Sequence, residues 1–477
     1  MGAGKKSSTE IDELFHKAGF IESFTKGDIW TKLSAVIMGI GCMVRGQIAR
    51  GIVFLSFELL FIWYMLSNGL YWLSMLPSLG KQGPIEEKVY VPLLDDYTTT
   101  TIPQDNSFKI LLYGILTIFL IIAFFITLMT SVKMSYDAEY KLRIGKKINF
   151  FKDDIRSLVD ESFYKTLLTL PMIGIVIFTL LPNVFMILIA FTNYCGENDG
   201  YRNKLFTWVG LDNFKTLFSS SGGSGSYFRI FLGILGWTIV WAFFATFSNY
   251  ILGILVALMI NKKGIKFKKM WRTILVMTIA IPQFISLLYV SKMFAPTGII
   301  NGWLVKLGVI DRLPGIDFFG TPLSARIMVI IINIWIGIPY LVLIATGILM
   351  NIPQDLYEAS RIDGANPVQQ FRYITMPYML FVTAPYLLTS FTGNMNNFNV
   401  IYLLTGGNPI NTAASSAAGA VGHTDLLITW VFKIAQGTGS YYYMASVIGI
   451  AIFVIVSIIT LSIYNRLGSN KNEGDMA

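Results

Sequence analysis

Charge, cysteine and histidine are scarce in this sequence, and each scarcity closes off a class of function. Only 14% of its 477 residues are Asp, Glu, Lys or Arg, whereas an ordinary soluble domain carries about 25%. The two cysteines, Cys42 and Cys195, make no disulfide framework and show no metal-ligand spacing. The two histidines, His16 and His423, lie far apart and offer neither an HExxH pair nor a cluster. The opening stretch is polar and charged, which argues against a cleavable signal peptide. Its MGAGKK does not fit N-myristoylation, because Lys6 stands where Ser or Thr is needed. It does not fit a phosphate-binding loop either, because the earlier glycine and the metal-binding hydroxyl are missing.

Apolar sequence is what abounds, at 54% of the chain. Eight apolar runs have the length of a membrane crossing: 50–76, 108–132, 164–192, 228–260, 271–293, 325–350, 377–404 and 441–464. The expected class is all-α, a polytopic membrane helical bundle of about eight transmembrane helices. Segment 34–43 is apolar but too short to span, so it lies at the interface or packs on the bundle. Pro282 is expected to kink the fifth span, leaving Gln283 to face a pore or a neighbour. Glu58, an acidic residue inside the first span, calls for pairing with Arg45, Arg50 or a nearby polar group. The tyrosines at 441–443 suit an interfacial belt.

A net charge of +9 could suggest nucleic acid, but the basic residues collect in alternate inter-span loops. Lys5, Lys6, Lys17, Lys26 and Lys32 precede the first span. Lys141, Arg143, Lys146, Lys147, Lys152 and Arg156 follow the second, and NKKGIKFKKMWR (261–272) follows the fourth. The positive-inside rule places these loops and both termini in the cytoplasm. The acidic loop with Glu86, Glu87, Asp95 and Asp96 then faces outside. The loop 193–227 is external too, and its SSSGGSGS reads as a flexible linker. The expected organisation is an arm at 1–33, accessory spans at 34–135, a membrane core at 160–465 holding a cytoplasmic loop at 351–376, and a tail at 466–477.

Between spans six and seven stands LYEASRIDGANPVQQFRYITMP, residues 356–377. Asn351 can cap a helix starting near Pro353, with Asp355 and Glu358 near its positive end. Asp363-Gly364 ends that helix. Asn366, Pro367 and Gln369 start another in a near capping box, and Pro377 opens the next span. An amphipathic helix resting on the bilayer surface is the alternative reading.

Polar stripes cross two spans at one-face spacing. They are Asn333, Ile336, Gly337 and Tyr340 in the sixth, and Ser390, Gly393, Asn394 and Asn397 in the seventh. Asn amides donate and accept as sugar hydroxyls do, a tyrosine ring covers a pyranose face, and glycine lets a ligand approach the backbone. Interhelical bracing is the other reading of the same residues.

Glu358, Ala359, Ser360, Asp363, Gly364, Ala365, Ile374 and Pro377 resemble the EAA loop of ABC importer permeases, with Ser360 in place of the second alanine. NIWIGIPY (333–340), NNFNVIYLLTGGNP (396–409) and TDLLITWVFKIA (424–435) look like the larger, eight-span permease of maltose-type importers. The resemblance covers roughly 160–465 and the N-terminal spans. It implies a type I ABC importer permease fold and a subunit that is not itself an enzyme. It also implies no cofactor in this chain, with ATP and Mg on two partner ATPases that grip the 353–374 loop. A second permease, an extracellular solute-binding protein and an oligosaccharide complete the implied partners; membrane lipid surrounds the chain, and nucleic acid is not a partner. In the family the two polar stripes line the sugar site, where Gly393 departs from an aromatic. The loop after span three is short, without the large external domain of enterobacterial relatives, which fits a lipid-anchored binding protein. A bacterial plasma-membrane location follows. Importers of galacto-oligosaccharides, raffinose-type sugars or polyols are alternatives. An ion-coupled transporter would need carboxylates or histidines within its core, and spans two to eight contain none. An intramembrane enzyme would need an HExxH pair or an aspartate dyad, and neither is visible.

Overall fold

The computed structural model describes residues 18–91, 96–160, 162–219, 226–262, 264–414 and 420–465. Most of the N-terminal arm, Asp95, nearly all of SSSGGSGS and the C-terminal tail lie outside them. The chain divides into two compact units, Met1–Val209 and Gly210–Ala477.

The first unit opens with three short helices, α1 (Phe20–Lys26), α2 (Ile29–Leu33) and α3 (Ile40–Val44). Spans α4 (Ile48–Met75) and α5 (Ser107–Arg143) follow, then the surface helix α6 (Phe151–Val159) and the span α7 (Phe163–Ile189). Segment 34–43 packs rather than spans, burying Met38 and Cys42 completely. Polar groups hold it in place. Glu58 accepts the Met38 amide at 2.7 Å, and Ser131 of α5 accepts the Gly39 amide at 2.8 Å. Glu58 thus finds a backbone partner, while Arg50 goes to Asp154 and Arg45 to Asp28 and Glu139. A buried carboxylate without donors would be costly, and an amide left unpaired by the turn of an irregular segment supplies one.

Between α4 and α5 the acidic loop folds as a two-stranded antiparallel hairpin, β1 (Ile85–Val91) and β2 (Asp96–Ile102), with Ile85 opposite Ile102. Thr98–Thr101 opposite Val89–Glu86 supply the β-branched residues that favour strands. Cys42 and Cys195 are free and buried.

The second unit runs α8 (Asp212–Phe218), α9 (Tyr227–Asn261), α10 (Lys268–Ile279), α11 (Gln283–Met293), α12 (Ile299–Lys306), α13 (Pro322–Leu349), α14 (Gln354–Ile362), α15 (Pro367–Met395), α16 (Phe398–Leu404), α17 (Leu427–Gln436) and α18 (Tyr442–Tyr464). The described residues contain seven helices long and apolar enough to cross a membrane. The bent pair α10–α11 makes an eighth if it counts as one span. That pair turns by 90° at Pro282, which has no N–H to carry a helix through.

Helix α9 is the spine. It buries Ile230, Ile234, Trp237, Trp241 and Ala245 at three- and four-residue steps, one continuous stripe. Trp237, Trp241 and Ala245 pack with Leu287 of α11, Val329 and Ile332 of α13, and Val400 and Ile401 of α16. Tyr250, Ile254 and Ala257 pack lower down with Leu341, Val342 and Ala345 of α13 and Met379 of α15.

The seventh span differs from expectation at both ends. Its helix begins at Pro367 rather than Pro377, because the capping box at Asn366 runs directly into it through a π-helical turn at Phe371–Thr375. It stops at Met395, and Asn397 starts the separate helix α16 by accepting the Val400 amide at 3.2 Å. An asparagine that bonds its local backbone competes with helix continuation.

Candidate functional site

Two places in the second unit bring polar residues together. The first is the seam where α13 and α15 meet α9. Asn333 is 6% exposed, and its Nδ2 has no partner. One turn on, Gly337 lies so close to α9 that a Cβ there would fall 2.4 Å from Asn249 Nδ2. Asn249 is itself 8% exposed, and its Oδ1 lacks a partner. The glycine therefore sets the helix separation, and the seam holds one unsatisfied donor and one unsatisfied acceptor.

Ile336 and Tyr340 face the other way, into a cavity of about 460 Å³ lined also by Pro282, Gln283, Ser286 and Trp335. The kink at Pro282 opens this space against α13. Tyr340 is half exposed, with its ring 6.4 Å from that of Tyr386 on α15. Ser390 lies four residues on from Tyr386, on the same face of α15. Gly393 is exposed, and a Cβ added there would meet nothing within 4 Å.

Asn394 of α15 and Asn397, at the start of α16, are both held by protein. Asn394 Nδ2 donates to Thr246 Oγ1 of α9 at 3.0 Å, and its carbonyl accepts from Trp241 Nε1 at 3.0 Å. Asn397 Nδ2 donates to Asn394 Oδ1 at 3.3 Å. Of the eight stripe residues, only Ile336 and Tyr340 line the cavity. Asn249 and Thr246 did not stand out in the sequence. Their signal is the run Thr246, Asn249, Gly253, a small and polar stripe at one-face spacing within an apolar span.

The second place is the elbow between α13 and α15. Helix α14 has Pro353 at its N-cap with no side-chain cap, so Asn351 does not take the expected role. The helix ends at Asp363, and Gly364 takes the left-handed backbone at φ 78°. Asn366 and Gln369 cap each other, at 2.8 and 2.9 Å. Four side chains then fasten α14 to the base of α15. Tyr357 Oη pairs with Thr375 Oγ1 at 2.8 Å, and Ser360 Oγ donates to the Tyr357 carbonyl at 2.9 Å. Gln370 Nε2 donates to Ser360 Oγ at 2.8 Å and to the Tyr357 carbonyl at 3.3 Å. The serine that replaces an alanine of the EAA pattern is thus a working member of this brace. The outer side of the elbow presents Glu358, Ala359, Asp363 and Gly364 to the surroundings, with Ile362 88% exposed; Ala365 and Ile374 are half-buried, and Pro377 lies within the first turns of the span.

Apolar spans around a polar seam, with a braced elbow projecting between two of them, define a multi-pass helical membrane protein. Residues 249–471 match the family described as the binding-protein-dependent transport system inner membrane component. The maltodextrin transport system permease protein MdxF of Bacillus subtilis is 33% identical over 452 residues, which is 92% of this chain and 96% of that protein. The galactooligosaccharides transport system permease protein GanP of the same organism is 32% identical over 379 residues, 78% of this chain and 86% of that one. The maltose/maltodextrin permease MalF of Vibrio vulnificus is 36% identical over 258 residues, 53% of this chain and 47% of that protein. The chain belongs to this family of binding-protein-dependent ABC importer permeases. Among solved structures, a bacterial ABC transporter for the import of alginate shares the fold, with a TM-score of 0.51 at 23% identity over 66% of this chain and 97% of that one. The same type of transporter is known in complex with an alginate pentasaccharide-bound periplasmic protein, at TM-score 0.51 and 22% identity.

Proposed function

We propose that this chain is the larger translocation subunit of an ATP-driven importer of maltodextrin-like oligosaccharides. It forms half of a pore with a second permease. Two ATPase subunits supply ATP, Mg and hydrolysis, and a solute-binding protein, tethered by lipid, delivers sugar outside. The carrying observation is the braced elbow, hydrogen-bonded to the base of the seventh span, in a chain that aligns nearly end to end with a maltodextrin permease. A lever of this form converts closure of two ATPases into tilting of α15 against α9. The seam then opens alternately to each side.

The positive-inside distribution supports cytoplasmic termini and a cytoplasmic elbow in a bacterial plasma membrane. Tyr340 and Ile336 in the 460 Å³ cavity offer a stacking face for a pyranose. Asn333, Gly337, Ser390, Gly393, Asn394 and Asn397 complete the sugar path as α15 moves. The likeness to GanP favours one second reading, a galacto-oligosaccharide importer.

The test uses the purified assembly with its ATPases. Maltodextrin with the binding protein should stimulate ATP hydrolysis, and a panel of labelled saccharides should give uptake only with ATP. Sugar uptake driven by a proton or sodium gradient without the ATPases would overturn the reading. In a background lacking Cys42 and Cys195, Glu197→Cys should label from outside and Gly264→Cys only from inside; the reverse would invert the orientation.

Asn394→Ala separates transport from bracing by magnitude. Losing an interhelical hydrogen bond in a membrane costs about 0.6 kcal/mol, roughly a threefold effect. Losing a sugar contact in a built polar site costs tenfold or more, on the order of the discrimination such sites achieve. A tenfold or larger fall in sugar-stimulated transport with the assembly intact is expected. A change of threefold or less would assign Asn394 to bracing alone.

A further inference from the structure

At the end of α9 opposite the elbow, Arg229, Ile230, Gly233, Ile234 and Trp237 form one wall of a notch of about 230 Å³. Nine residues of helix, eight rises of about 1.5 Å, make this wall about 12 Å deep. Arg326, in the first turns of α13, forms the facing wall with Asn411 and His423. Its Nε donates to the His423 carbonyl at 2.9 Å, and its guanidinium lies 4.5 Å from the Trp237 ring. Both contacts restrain the guanidinium, and Arg326 lines the notch across from Arg229.

No ion pair to Arg229 or Arg326 occurs among the described residues. The one carboxylate in the lining, Asp425, is already committed. It is 1% exposed, Lys433 lies 2.6 Å from it, the Gly422 amide donates to it at 2.7 Å, and Thr429 donates at 2.9 Å. Burial raises the Asp425 carboxyl, and Lys433 opposes the shift. His423 adds no anion; burial first, then the charge of Arg326, holds its imidazole below the ordinary range. The stretches 220–225 and 411–422 contain no acidic residue in sequence. Among the described residues the notch is therefore a recess with two arginines and no carboxylate paired to either.

We infer that this arginine notch is the seat for a carboxylate side chain of the docked solute-binding protein. The inference rests on the orientation and partner given under Proposed function, which put the notch on the outer face. At 230 Å³ the recess is smaller than the roughly 300–1,000 Å³ of small-molecule sites. It suits one acidic side chain rather than a run of sugar units. Two guanidiniums, one pre-oriented by stacking, match the forked geometry of a carboxylate. Charge of this kind at an interface steers association and gives it salt dependence.

The experiment titrates maltodextrin-loaded binding protein against the purified assembly, in detergent and in nanodiscs of neutral or anionic lipid, and follows ATP hydrolysis. Arg229→Glu, at an exposed position, should raise the half-stimulating concentration about tenfold. It should also flatten the dependence of that concentration on salt, while Arg229→Lys stays within about threefold of the parent. Arg326→Gln should shift it in the same direction. An unchanged half-stimulating concentration and salt slope in both variants would overturn the inference while leaving the importer reading standing. An effect of Arg229→Glu seen only in anionic nanodiscs would assign the notch to lipid phosphate and also overturn it. If the parent assembly is not stimulated at all, the importer reading fails first and the docking seat with it.

Discussion

Glu358→Lys should reduce sugar uptake about thirtyfold or more while the chain still inserts and the permease pair still forms. Glu358 is exposed on α14 and makes one local contact, accepting from Gln354 Nε2 at 2.7 Å. The brace of Tyr357, Ser360, Gln370 and Thr375 does not use it, so the elbow keeps its shape when the charge is reversed. Placing a lysine where a docked partner meets a carboxylate costs roughly 2–5 kcal/mol at a desolvated contact. Two kcal/mol alone is about thirtyfold in affinity. Uptake and co-purification of the ATPases check this together. Normal uptake with normal co-purification would remove the coupling role from the elbow.

Arg45→Ala should lower the stability of the first unit by roughly 3–5 kcal/mol, the cost of breaking a buried charge pair. The Arg45 side chain is 7% exposed. It bonds the Gly41 carbonyl at 2.8 Å, Ser135 Oγ at 2.7 Å, Asp28 at 2.7 Å, Thr31 Oγ1 at 3.0 Å and Glu139 at 3.3 Å. Asp28, whose carboxyl sits below its usual value, also caps α2 through the Thr31 amide at 2.8 Å. Removing the guanidinium leaves Glu139, 6% exposed, with Arg143 as its remaining ion-pair partner and the Asp28 amide and Thr31 Oγ1 as hydrogen-bond donors. Arg45→Lys should recover little, because one ammonium cannot reach acceptors arranged around a planar fork. Thermal unfolding of the purified chain in detergent reads the effect. A loss under about 1 kcal/mol would show that the cluster is solvated and not a clamp.

Features that depend on nearby residues were legible in the sequence. The spans follow from apolar length, and the bend at Pro282 follows from a missing donor. At the elbow, Gly364 and the Asn366–Gln369 box stand where their local chemistry requires. Features that depend on distant partners were not legible. Asn351 lost the cap of α14 to Pro353, since a helix start depends on the path of the chain entering it. The seventh span began ten residues early because a capped helix met no obstacle before the membrane. It stopped at Met395 because Asn397 bonded its own backbone. The acidic loop carried a hairpin in its Val and Thr residues, but its charge drew attention to topology instead. In the seam, Asn333 and Asn394 stood out as members of their one-face stripes, and Asn249 did not, because its meaning comes from Gly337 on another helix. Ser360 showed in the sequence only as standing in place of an alanine, and its bond to Gln370 needed the fold.

The central claim is that the elbow is a lever held by the ATPases. Ile362→Cys, at the most exposed apolar position of that elbow, provides the direct test by cross-linking in the purified assembly. The account predicts cross-links to an ATPase subunit in both the nucleotide-free and the ATP-bound states, with uptake lost when the link is closed. Cross-links confined to lipid, or a cysteine open to aqueous reagent throughout the cycle, would contradict it.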